Sequence, residues 1–431
     1  MTLASRRIES LSALMFDSAR CGPLSGVVAP PYDLIDQARQ LELYARSPYN
    51  VVRLELNRES DPYAAAARTL SQWQSKGILV RAPRPAIYLY TQVFEIDGRR
   101  LERNGIVVRI RLEDFKQGRI LPHERTFPAA KEDRLRLLTA TRVNISPIFG
   151  LYPSGNQALE TLLAEVRGRA PLLEVRDDLG IVNQIRPIDF LGELQVIQGA
   201  LDDARILIAD GHHRYETALE YRRRRRFGNN PEGLSGDDYV MMALIAFNDP
   251  GLVILPTHRV VRHVNADALA AFTRRVGDSF EVEEFDAPET MRNTLAHRGR
   301  GYLGLALRGD PVFRIARLKN RAAVTNALPS TPRAVRELDV SILHAMIFDH
   351  MLGLTADAIR KGGNIEYTVE AGRALDTVVR GVADGAFLMN PPTVEDVERV
   401  SASDAVMPEK STYFHPKLLT GLVLNPFDDA S

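Results

Sequence analysis

The chain has a single cysteine, Cys21, in 431 residues. That excludes an intrachain disulfide framework and every zinc or iron–sulfur site built on several thiolates. Cys21 reads as an inert small residue, with a reactive thiol the alternative that its place just before Gly22-Pro23 leaves open. There is also no net charge: 55 Lys and Arg balance 55 Asp and Glu. No global positive field therefore draws the molecule to nucleic acid or anionic lipid, and any basic partner surface must be local. Long apolar runs are missing too. The longest, residues 240–247, is far short of the roughly 20 needed to span a bilayer. The N-terminal stretch is broken by Ser10, Ser12 and Asp17 and reads as neither signal peptide nor anchor, so a cytoplasmic protein with no membrane partner is expected. No P-loop or G-x-S-x-G pattern occurs, and Gly362-Gly363 lacks the spacing of a dinucleotide fingerprint.

What is present describes a globular protein: 45% hydrophobic and 26% charged residues. Its length suits two or three packed units. Asp33, after Pro30-Pro31, is positioned to cap a helix over 34–45, and 51–56 reads as a strand. Residues 62–76, with Pro at the first turn and Gly77 at the end, predict a helix. Two β-rich runs, 86–96 and 101–111, joined by Asp97-Gly98-Arg99-Arg100, predict a hairpin. Helices are expected over 131–139, 157–166 and 215–226, and strands over 144–149 and 205–209. A second hairpin is expected from 239–247 and 252–255 around Asn248-Asp249-Pro250-Gly251. Beyond residue 262 helical and strand patterns alternate. The expected fold is α/β in the mixed α+β sense, with an N-terminal domain over 1–262 and a C-terminal α/β domain over 263–431 that contributes a loop near 407–417.

The densest chemistry lies in Ile206-Leu207-Ile208-Ala209-Asp210-Gly211-His212-His213-Arg214. A strand delivers its end into a glycine turn and then a helix, whose N-terminal N–H groups and partial positive charge suit an anion such as phosphate. Arg214 adds a cationic fork, His212 and His213 add proton-moving donors, and Asp210 is a candidate metal ligand or proton acceptor. The plain structural alternative is a capping Asp, a turn Gly and histidines serving buried polar neighbours. The run Arg222 to Arg226 spreads around its helix and reads either as a solvated helix end or as a local nucleic-acid or partner surface. Three further loops carry related side chains: His123-Glu124-Arg125-Thr126, Thr257-His258-Arg259, and the stretch from Pro408 to Lys417. Each reads as a structured loop by itself; together they favour an anionic ligand.

Ala29-Pro30-Pro31-Tyr32-Asp33-Leu34-Ile35, Leu121-Pro122-His123-Glu124-Arg125-Thr126, Asn144-Ile145-Ser146-Pro147-Ile148-Phe149, the segment 208–219, Leu255-Pro256-Thr257-His258-Arg259 and Met407-Pro408-Glu409-Lys410-Ser411-Thr412-Tyr413-Phe414 occur in an order that resembles the bacterial and archaeal family known as domain of unknown function ten-fifteen, often labelled SpoOJ/ParB-like. The stretch Asp210 to Arg214 with Ala218 is similar to the phosphate motifs of ParB, sulfiredoxin and free-serine kinases, implying a ParB/sulfiredoxin-like N-terminal domain. His212 stands where sulfiredoxin needs a cysteine, and the run after Phe227 does not look like the DNA-reading helices of ParB. Free-serine kinases share Asp-Gly-His.

The resemblance thus implies a Mg²⁺-dependent kinase that moves phosphate from ATP or ADP to a metabolite hydroxyl, free L-serine first. Asp210, His212, Glu55, His123 and Glu124 are the candidate catalytic residues. Gly211, His213, Arg214, Thr257, His258, Arg259, Lys410 and Ser411 are the candidate nucleotide-phosphate contacts, and Asp210 and Glu124 the candidate metal ligands. The rival expectation is a ParB-like nucleotide switch acting through a protein or DNA partner.

Overall fold

A computed structural model describes residues 6–124, 128–227, 234–403 and 405–427, side chains excepted at 128–130, 360 and 361. Its contacts divide the chain into two compact units, Met1–Pro122 with Thr126–Val253 and Pro416–Ser431, and His123–Arg125 with Ile254–His415.

The first unit is built on a mixed sheet, nine-stranded among the described residues. Its order is Ile120–Leu121, Ile206–Asp210, Ile148–Tyr152, Tyr239–Ala246, Arg99–Arg111, Ile87–Ile96, Val182–Ile188 and Leu173–Arg176, with Ile8–Glu9 also pairing Arg99–Arg111. The long hairpin at its centre forms as the sequence predicts. Ile96 pairs Arg99 across a two-residue turn in which Asp97 and Gly98 have φ of 50° and 70°. Asp-Gly suits that left-handed turn, whose twist matches the strands it joins. Helix Pro62–Ser75 also forms as expected, Pro62 opening it and Asp61 accepting from the Ala64 N–H at 3.1 Å. Ile106, Val108, Ile148, Ile206, Ile208 and Leu244 pack with Tyr215 and Ala218 of helix His212–Arg226 in the sheet's main core.

Three expectations differ from the structure. Residues 51–56 are not a strand: Val52–Glu55 is a helical turn, because Asn50 accepts from the Val52 N–H at 3.0 Å while its amide donates to Gly26 and Val28 carbonyls. The helix after Pro31 starts later than Asp33, over Gln37–Arg46, and Asp36 caps it through the Arg39 N–H. Tyr239–Ala246 does not form a hairpin with the run after Gly251; its partners are Arg99–Arg111 and Ile148–Tyr152. Seven of its eight residues are buried, and an apolar run of that kind belongs inside a sheet rather than beside a surface turn.

The second unit carries a six-stranded sheet in the order Phe280–Phe285, Phe313–Leu318, Tyr302–Leu307, Gly385–Met389, His258–Val261 and Ile365–Thr368, its described pairings all antiparallel. Helices Pro288–Arg298 and Ala371–Val379 bury Met291, Leu295, Ala374, Leu375 and Val378 against this sheet. The fold is thus mixed α+β throughout.

Candidate functional site

Strand Ile206–Asp210 pairs with Ile148–Tyr152 and slips register between Ile208 and Asp210. Such an irregularity re-aims the side chain beyond it. Gly211 follows with φ 93° and ψ 27°, and helix His212–Arg226 begins at once, three residues earlier than periodicity places it. His212, His213 and Arg214 therefore occupy the first turn. Only glycine suits the junction: its φ is left-handed, and a Cβ there would meet the Arg214 guanidinium at 2.9–3.0 Å.

Arg214 folds back beneath the helix start. Its Nη2 donates to Asp210 Oδ2 at 2.8 Å and its Nη1 to Ser146 Oγ at 3.1 Å, while its buried Nε has no partner among the described residues. The other Asp210 oxygen accepts from Lys417 Nζ. Burial works to raise the Asp210 carboxyl, but Lys417 and Arg214 outweigh it and hold the group far below the usual carboxylate range. Lys417 joins the site from the end of the Pro408 to Lys417 stretch, beyond the candidates Lys410 and Ser411 that the sequence singles out there. The first unit holds it on both sides: the Pro416 carbonyl accepts from Arg103, and the Lys417 carbonyl accepts from Gln92 Nε2.

Glu55 lies at the end of the Val52–Glu55 turn, 6% exposed. It accepts from Arg134 Nη1 at 2.8 Å, and the Arg134 guanidinium sits 4.3 Å over the Tyr32 ring. Glu55, Arg134, Ser146, Arg214 and Thr217 line one cavity of about 50 Å³. The structure thus brings Glu55, Asp210, Gly211, His212, His213 and Arg214 into one neighbourhood of the first unit, and it adds Arg134, Ser146, Tyr32 and Lys417. Arg134 had no local signal, being one of several charges on the Pro128–Thr141 helix. Ser146 and Tyr32 stood inside the quoted motifs.

The remaining candidates gather in the second unit. His123 is 1% exposed and shares a 2.9 Å hydrogen bond with Thr412 Oγ1. Glu124 Oε1 accepts from the Lys410 N–H at 2.9 Å, where the Lys410 backbone is left-handed with φ 54°. Ser411 is buried and donates to the Pro408 carbonyl. Arg259, 1% exposed, donates to the Thr257 and Lys410 carbonyls, contacts Met389 Sδ and stands 5.5 Å from the Tyr367 ring centroid. Burial lowers it to about 10. Among the described residues it has no carboxylate partner, and its Nε has no hydrogen bond. His258 Nδ1 accepts from the Met389 N–H at 3.2 Å, and burial, reinforced by Arg259, lowers the imidazole to about 4. Arg125 and Thr126 lie outside the described residues.

These contacts bear on the expected metal. Both Asp210 oxygens already carry a cationic partner, and Glu124 is engaged by a backbone N–H. No group of three His, Cys, Asp or Glu suited to a metal occurs among the described residues. A Mg²⁺ ion held by Asp210 does not fit this arrangement. No helix among the described residues is long and apolar enough to cross a membrane.

Solved structures similar to the chain include a free serine kinase mutant in complex with AMP, 13% identical over 72% of this chain and 87% of that one with a TM-score of 0.36. A conserved hypothetical protein from Pyrococcus furiosus is 13% identical over 76% and 95%, with a TM-score of 0.35. SbnI with a C-terminal truncation, from Staphylococcus aureus, is 10% identical over 75% and 83%, with a TM-score of 0.32. No curated protein matches the sequence. The family described as "Protein of unknown function (DUF1015)" matches residues 8–341, and the chain belongs to it.

Proposed function

We propose that the protein is a cytoplasmic small-molecule kinase that transfers a phosphoryl group from ATP or ADP to a metabolite hydroxyl, with free L-serine the first acceptor to test. The observation that carries this reading is that a buried carboxylate, Glu55, and a guanidinium at a helix start, Arg214, line the same cavity. Phosphoryl transfer asks a protein mainly for positioning and charge neutralisation. In this proposal the ParB/sulfiredoxin-like strand–turn–helix receives the nucleotide phosphates at the first-turn N–H groups, beside Arg214, Lys417, His212 and His213. Asp210 orients the two cations; held so firmly deprotonated, it is the poorer base. Glu55 takes the acceptor's proton as its oxygen bonds to the terminal phosphorus. The bond to the departing nucleotide oxygen breaks, and the charge left there is neutralised by Arg214 and Lys417. Thr257, Arg259, Lys410 and Ser411 are assigned to anion binding within the second unit, and His123 and Glu124 to holding the 407–415 loop.

The rival switch acting on DNA finds less support. Arg222 donates to the Leu112 carbonyl, Arg223 and Arg224 pair with Glu220, Arg225 with Asp237 and Arg226 with Asp238. A run whose charges are met locally makes a weak phosphate footprint. Phosphorus NMR with ATP or ADP, with and without L-serine and a pool of hydroxyl metabolites, tests the kinase. A phosphomonoester resonance that requires an acceptor is expected, falling about 100-fold or more in Glu55→Gln. Nucleotide line broadening with no new resonance for any acceptor overturns it.

A further inference from the structure

The second unit contains a cavity of about 390 Å³ that the kinase reading does not use. That volume lies in the range of small-molecule sites. Its wall is largely apolar, with Val335, Leu354 and Ile359 among the lining residues. Two of the lining residues stand out. Ser341, 3% exposed, has no hydrogen bond at Oγ, and His344 has none at Nε2, among the described residues. Buried polar atoms are nearly always satisfied in native proteins, so two on one cavity call for a partner.

The backbone explains how both come to the same wall. Ser341 belongs to the helical turn Asp339–Ile342, which runs directly into a π-helical stretch over Leu343–Asp349. The His350 N–H bonds the Ala345 carbonyl at 3.3 Å and the Leu352 N–H bonds the Ile347 carbonyl at 2.9 Å, each five residues back. Residues three apart share a helix side. π-helical turns are uncommon and concentrate at functional sites.

Charge narrows the ligand. Burial, with the Arg259 charge adding to it, lowers His344 to about 3, so its imidazole is neutral and offers a hydrogen bond without a charge. Asp349 and Glu409 also line the cavity, and two carboxylates disfavour an anion. We propose that this cavity binds a compact, mainly apolar molecule bearing one uncharged hydroxyl, which meets Ser341 Oγ and His344 Nε2. A hydroxyl both donates and accepts, so it satisfies a serine and either tautomer of the histidine. The proposal does not rest on the kinase reading.

The test uses the full chain labelled at histidine, with benzyl alcohol as the probe and benzoate as its charged counterpart. Benzyl alcohol is expected to shift the His344 imidazole resonance, assigned with His344→Gln, in a saturable titration. Benzoate leaves it in place at the same concentrations. Ala345→Trp, which fills the cavity, abolishes the shift, and Ser341→Ala weakens it about two- to tenfold. Thermal unfolding checks that each variant is folded; if Ala345→Trp is not, the Ser341→Ala titration decides. No response to benzyl alcohol, an unchanged affinity in Ser341→Ala, or benzoate binding as tightly as the alcohol overturns the proposal.

Discussion

Arg214 and Arg259 are two guanidinium groups drawn away from water in different units, and the fold treats them in opposite ways. Arg214 is met by a carboxylate that a second cation, Lys417, also shares. Arg259 is met by carbonyl dipoles, a thioether and a tyrosine face. The first arrangement is an ionic cluster of two cations on one carboxylate, in which each charge orients another. The second leaves a whole charge without its opposite, and burial makes itself felt as a lowered pKa. Removing a member should therefore harm the first cluster more than the second, and an added anion should gain more at the second.

Acid separates the two units most strongly. His258, lowered to about 4, binds no proton in the fold between its ordinary value near 6.5 and 4, whereas the unfolded chain does. A depressed folded pKa gives stability that is complete above the unfolded value and lost as pH falls toward the folded one, about 3 kcal/mol here. His344, lowered to about 3, acts in the same direction. Asp210 is depressed from a much lower starting point, so its contribution persists to about pH 4 and disappears below it. Between pH 6.5 and 4.5, amide protection factors, which remove the intrinsic pH dependence of exchange, are expected to fall in Tyr302–Leu307 and Gly385–Met389 of the second unit. Fluorescence of Trp73, the single tryptophan and buried in the first unit, should hold. Simultaneous loss of both signals would break the distinction.

Substitution separates them next. Asp210→Ala strands Arg214 and Lys417 together and is expected to cost about 3 kcal/mol in denaturant unfolding. Arg259→Met keeps length while deleting an uncompensated charge, and should change stability by less than about 1 kcal/mol. Added inorganic phosphate should stabilise the unsubstituted protein more than Arg259→Met. A costly Arg259→Met with the phosphate effect intact would mean that the carbonyl and aromatic contacts suffice for that arginine.

Between these two effects lies Gly211→Ala, at about 1–2 kcal/mol, because an L side chain must adopt a left-handed backbone against the Arg214 guanidinium. Unfolding measures the stability loss, and nucleotide affinity should fall as Arg214 is displaced. An unaltered affinity would show that Arg214 need not sit where it does.

Much of the first neighbourhood was legible because its signals are local. Ile206–Asp210, Gly211 and the helix after it form one strand–turn–helix, and Asp97-Gly98 specifies its own turn. Where a residue's partner is distant, local pattern misleads. Val51 and Val52 look strand-like until Asn50 ties that segment to Gly26 and Val28. The run 239–246 looks like half of a hairpin until sheet pairing claims both its edges.

The sequence by itself determined the mixed α+β character, the central hairpin, the helix over Pro62–Ser75 and the concentration of His, Arg and Asp at a helix start. Periodicity, turn chemistry and capping act within a few residues and need no knowledge of the rest of the chain. Only the tertiary structure decided that Lys417 and Arg214 share Asp210, that Glu55 faces Arg134, and that Arg259 is buried with no carboxylate partner among the described residues. Charge pairing and burial depend on which distant segments the packing brings together, and no local pattern records that.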